Sequence, residues 1–105
     1  MSLKIKKIDD NTFILRGKIK EISDYYDIKM LLEKRKNEPN VEIRFEIPQA
    51  REVNFYILGY CLKLARKNGF KFHFYIANPY LYDTFVRLGL HQFFEVVNDS
   101  MELYL

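Results

Sequence analysis

The side chains able to do acid–base, nucleophilic or metal chemistry are few in this sequence and scattered along it. His73 stands between Phe72 and Phe74. Alternation places it with Lys71 and Tyr75 on the wetter side of a strand, with no nucleophile or carboxylate beside it in sequence. His91 follows Gly89-Leu90 at the end of an expected helix, where a cation complements the dipole. Cys61 lies among Tyr60, Leu62 and Leu64 and reads as a small buried hydrophobe. A reactive thiolate needs an electropositive, partly exposed setting. Two distant histidines and a single cysteine match no zinc spacing. Every glycine is isolated, so no glycine-rich turn cradles a phosphate. Asp9-Asp10 reads as a turn, and Asp24 with Asp27 supports a helix start. The expectation is a protein that is not an enzyme, with no catalytic residue, no metal site and no cofactor.

Composition narrows the class further. The chain has 105 residues, 49% hydrophobic and 30% charged, with 17 basic against 14 acidic side chains. That length suits one domain with its own core, spanning residues 1–105. One cysteine excludes an internal disulfide framework and fits a reducing compartment. Nine Phe and eight Tyr supply far more apolar surface than a disordered chain carries. No apolar run approaches the ~20 residues of a spanning helix, and the basic start is no signal peptide. A cytoplasmic protein without a membrane span is expected. The charges are interspersed in both halves, so no basic stripe argues for nucleic acid as a partner.

The elements that must position these residues follow from periodicity and punctuation. Leu3, Ile5 and Ile8 alternate with lysines, Asp9-Asp10-Asn11 turns the chain, and Thr12 to Gly17 returns it as a hairpin. Ser23 is a candidate N-cap for a helix with Tyr25, Ile28, Leu31 and Leu32 on its buried stripe. Lys34-Arg35-Lys36 falls in its last turn, and Pro39 closes it. Val41, Ile43, Phe45 and Ile47 alternate with Glu42, Arg44 and Glu46 in a third strand that Pro48 ends. A helix from about Glu52 to Asn68 stops at Gly69. Phe70, Phe72, Phe74 and Ile76 make a fourth strand. Asn78-Pro79 opens a helix to Leu88, and a turn with a last strand follows through Val97. Met101–Leu105 forms a tail of undefined structure. The order β-β-α-β-α-β-α-β argues for an α/β fold with a largely parallel sheet.

The helix from Glu52 is the informative element. Between Val53 and Ala65 only Asn54 and Lys63 interrupt an apolar run that goes nearly all round the helix, so it is buried on more than one side. Two readings stand side by side. Either neighbouring helices cover it entirely, or Phe55 and Tyr56 face solvent and anchor a partner. Gly59 costs about 1 kcal/mol against Ala in a helix interior, which implies close approach of another backbone.

The ordered spacing from Val41 to Asn98 resembles the STAS domain, the family of bacterial anti-sigma factor antagonists and sulfate-transporter tails. The likeness rests on the apolar strand, the long helix ending Lys67-Asn68-Gly69, and the apolar strand Phe70–Ile76. Asn78-Pro79, Gly89-Leu90 and Phe93-Phe94 then follow in order. Residues 3–36 fit the family's opening hairpin and helix. The resemblance implies a STAS-like single domain acting in bacterial signalling and transcription regulation. Its partner would be an anti-sigma factor that is also a serine kinase. The family's phosphorylatable Asp-Ser-Ser-Gly is replaced here by Arg51-Glu52-Val53-Asn54, and no Ser or Thr occurs from 24 to 83.

The expected contact surface is therefore the loop and first turn Pro48, Arg51, Glu52, Val53, Asn54, Phe55 and Tyr56, with Asn78 and Tyr80 from the adjoining loop. The expected state is a monomer or weak homodimer. Glu52 lends itself to two readings, a fixed negative charge in place of a phosphate or a glutamate favouring its own helix start. The alternatives in function are a small-ligand or lipid-binding domain with a pocket between the aromatic helix and the sheet, or an accessory subunit of a transporter.

Overall fold

The computed structural model describes residues 2–99, so the tail at Met101–Leu105 lies outside the described residues. Strands β1 (Lys4–Asp9) and β2 (Thr12–Arg16) form the antiparallel hairpin around the turn at Asp10 and Asn11. Then come α1 (Ile22–Glu33), β3 (Glu42–Ile47), α2 (Phe55–Asn68), β4 (Lys71–Ile76), α3 (Pro79–Arg87) and β5 (Glu95–Asn98), with a 3-10 turn at Leu90–Gln92 before β5. The five strands lie in sequence order in one sheet, and β2, β3, β4 and β5 pair in parallel. The fold is α/β with a mixed sheet, parallel everywhere but at the hairpin.

Sequential parallel neighbours joined by right-handed crossovers put all three helices on the same face of the sheet. Phe13, Phe45, Phe72 and Phe74 point to that face and stack across neighbouring strands, with Phe45 6.2 Å from Phe72 and 5.6 Å from Phe74. Ile28 and Leu32 of α1, Ile57, Cys61 and Leu64 of α2, and Leu81 and Phe85 of α3 close the core over them. The opposite face carries Arg44, His73 and Tyr75 in cross-strand register. Ile14 and Glu46, also paired across strands there, are buried as well.

Several boundaries differ from the sequence reading for identifiable reasons. Helix α1 is capped by Glu21, not Ser23. The Glu21 and Asp24 side chains each accept from the other's backbone N–H in a capping box, which satisfies two orphan donors where a serine satisfies one. The helix stops at Glu33, and Lys34–Lys36 falls in turns beyond it. Helix α2 starts three residues later than expected, because Asn54 accepts from the Tyr56 N–H and Val53 is held in extended pairing with Ile19. Gly69 ends α2 with φ +71°, a conformation that glycine adopts without steric cost. Leu62 is only partly buried. Gly59 is exposed, with nothing within 4 Å of a Cβ built there, so no other backbone of the described chain approaches it.

Candidate functional site

The carboxyl ends of β2, β3 and β4 run into three loops that meet at one end of the sheet. Gly17, with φ +86°, turns the chain off β2, and its N–H donates to Gln49 Oε1 at 2.8 Å. The next residues are extended. Ile19 is fully buried and pairs with Val53 in an isolated parallel bridge, so the exposed Lys18 and Lys20 both project away from the side that Ile19 fills. The N–H of Asn54 donates to Ile19 O at 2.8 Å, and its side-chain amide donates to Lys20 O at 3.1 Å. These bonds zip the segment after β2 onto the loop before α2.

A cleft of about 780 Å³ lies between them, lined by Lys18, Lys20, Gln49, Arg51, Glu52 and Tyr80 among others. The Arg51 guanidinium sits 5.9 Å from the centre of the Tyr80 ring. The cleft therefore lies outside the carboxyl ends of the parallel strands β2 and β3. Neither α2 nor α3, which both begin at this end, carries an acidic residue in its first turn, so their dipoles add to the positive potential.

The expected contact residues divide into three groups. Arg51, Glu52, Phe55, Tyr56 and Tyr80 are exposed, the three rings at 71%, 65% and 71%. Pro48 and Val53 are buried and anchor the loop. Asn54 and Asn78 are partly buried because their side chains cap α2 and α3, Asn78 accepting from Tyr80 N at 2.9 Å and Leu81 N at 3.2 Å. The sequence reading missed Tyr26, exposed on α1. Its ring lies 5.2 Å from Tyr25, which in turn lies 5.7 Å from Tyr56. Ile22 and Met30, one turn before and after Tyr26, are exposed too, so α1 adds an apolar stripe beside the start of α2. Lys18 and Lys20 were missed as well. The only signal was the alternation Lys18-Ile19-Lys20, too short to read as a strand.

On the helix-free face, His73 Nε2 lies 2.6 Å from Glu42 Oε1 and Nδ1 lies 3.3 Å from Glu95 Oε1. The two carboxylates absent from its sequence neighbourhood are thus delivered by the flanking strands. No group of three or more His, Cys, Asp or Glu among the described residues could hold a metal ion. Cys61 is fully buried, and burial pushes its thiol far above the ordinary value. Asp10, paired with Lys7 at 3.0 Å, is held below the usual carboxylate range by that hydrogen bond and charge. No helix among the described residues is long and apolar enough to cross a membrane. No known family model matches the chain, and no curated protein matches it either.

Proposed function

We propose that this chain is a STAS-like domain that acts without catalysis, by protein–protein contact, in the manner of an anti-sigma factor antagonist. The contact surface is the Arg51–Tyr56 stretch with Tyr80, extended by Tyr26 of α1. The partner is an ATPase of the kind that is both anti-sigma factor and serine kinase, and the domain meets it in the cytoplasm as a monomer or weak dimer. One observation carries the reading. Three large rings stand about two-thirds exposed on adjoining segments, although each could have been turned into a core that is otherwise rich in aromatics. Exposed aromatics clustered beside a cleft are the usual anchors of an interface. The resemblance in element order supports the choice of partner.

A photocrosslinking residue at position 56, introduced into the full chain and irradiated in native lysate, tests this. The expected product is an adduct with a histidine-kinase-like ATPase, absent when the same residue is placed at position 88, just after α3. Equal adducts from both positions, or none, sink the reading. The switch of the family adds a phosphate of nearly two negative charges at the entry to this helix. Asn54 caps the helix here, and no hydroxyl stands on the loop before it. Partner binding is therefore insensitive to ATP hydrolysis, and intact mass with peptide mapping after incubation with the ATPase shows no added phosphate in residues 48–60.

A further inference from the structure

Some cations outside the cleft are paired and others, such as Lys4, Lys6, Lys34 and Lys67, form no salt bridge among the described residues; those of the cleft are distinguished by sharing one lining. Lys7, Arg35, Lys36, Arg44 and Arg87 each pair with a carboxylate. Lys18, Lys20 and Arg51 form no salt bridge among the described residues, although they line one cleft together. Glu52 is the single carboxylate in that lining. Three cations against one anion give this small area a net charge of two, out of a net +3 for the whole chain. Specific bonds of the backbone hold the segments that carry these residues around the cleft. The Ile19–Val53 bridge and the Asn54 bonds fix Lys18 and Lys20 against the loop that carries Arg51. Gln49 uses its Oε1 to accept from Gly17, which leaves its Nε2 as a further donor at the same wall.

We propose that this cleft is an oxyanion-binding site for a multiply charged phosphate or carboxylate ligand, held by Lys18, Lys20 and Arg51. Arg51 supplies the planar fork that suits either oxyanion, and the lysines of the facing segment act as point charges. Tyr80, exposed in the same lining, offers a ring against which a flat apolar part of the ligand packs. A volume of about 780 Å³ falls within the range of sites for small organic ligands. The same chemistry has two sources, a free polyphosphate or an acidic run on a polypeptide. The cleft shares Arg51, Glu52 and Tyr80 with the proposed contact surface, but anion binding does not depend on that reading and is separable from it, because Phe55 and Tyr56 lie outside the lining.

The test is amide chemical-shift titration of the full chain at constant ionic strength, with inorganic pyrophosphate in one arm and a hexaglutamate peptide in the other. The expected result is saturable shifts at Gly17, Lys18, Lys20, Arg51 and Glu52 in at least one arm. Pyrophosphate saturation assigns a free anion as the source, and saturation by the peptide alone assigns an acidic polypeptide. Lys18→Gln and Arg51→Gln should each weaken binding about tenfold. Lys34→Gln, on the far side of α1, and Phe55→Ala should leave it unchanged. Unchanged thermal midpoints in all four variants exclude a folding defect as the cause. Shifts spread evenly over the basic surface, or absent in both arms, overturn the proposal.

Discussion

Asn54 holds two pieces of chain together with one side chain. Its Oδ1 accepts from the N–H of Tyr56 at 2.9 Å while its Nδ2 donates to the carbonyl of Lys20 at 3.1 Å. The same residue therefore starts α2 and closes the wall of the cleft. Asn54→Ala removes both bonds and should cost about 1–2 kcal/mol of stability, the usual cost of losing an N-cap plus one loop contact. Asn54→Asp keeps the acceptor for Tyr56 but has no donor for Lys20, so it should lose less. Urea unfolding of the three proteins measures the difference, and equal losses would mean that the Lys20 bond alone matters and the cap contributes nothing.

The Tyr60 hydroxyl of α2 donates to the Glu33 carboxylate at the end of α1. That hydrogen bond holds Glu33 below its ordinary value of 4.5. Burial, and then the same bond, push Tyr60 well above its ordinary 10.0. The two signs are opposite in pH. The depressed Glu33 contributes stability above its ordinary value, and this is lost as pH falls through the folded one. The raised Tyr60 contributes below 10.0 and loses it as pH rises further. The stability difference between the native chain and Tyr60→Phe should be flat near neutrality and shrink at both extremes. A difference independent of pH from acid to alkali would show that the bond contributes nothing.

Exposed aromatics and a buried leucine of α2 should respond differently to truncation. Phe55→Ala should change stability by no more than about 0.5 kcal/mol, as expected at a surface position. Tyr56→Ala should cost about 1 kcal/mol, because its ring packs 5.7 Å from Tyr25. Leu64, at 1% exposure, fills the core, and Leu64→Ala should cost about 2–5 kcal/mol. Thermal or urea unfolding ranks the three. If Phe55→Ala ranks with Leu64→Ala, its ring is part of the fold rather than free for a partner.

Glu46 is buried on the face opposite the helices, at 0% exposure. Its Oε1 accepts from Arg44 Nε at 2.6 Å, its Oε2 has no hydrogen-bond partner, and the Arg44 guanidinium lies 3.7 Å from the centre of the Tyr75 ring. Arg44→Met strands the carboxylate and should cost about 3 kcal/mol or more. The double variant Arg44→Met with Glu46→Gln should recover most of that loss, since no buried charge then remains. Failure of the second change to rescue the first would mean that Arg44 acts by packing on Tyr75 and not by pairing.

How much of this was legible beforehand follows from the range of the forces involved. The alternation of Ile43, Phe45 and Ile47, the Phe ladder of β4 and the stop at Gly69 are local patterns, and the sequence alone set the α/β class and the order of elements. Cys61 as a buried, unreactive thiol also followed from its neighbours. The tertiary structure decided the rest, because it depends on which distant segments touch. Glu46 belongs by its alternation to a wet face and is nevertheless buried. His73 has no acidic neighbour in sequence, yet strand register places Glu42 and Glu95 beside it. Gly59 implied a close backbone, but helix packing left it open. Lys18 and Lys20 became part of a site only through the parallel bridge from Ile19 to Val53. Local periodicity encodes which face of an element is apolar; it carries no information about which charges a crossover connection will bring together.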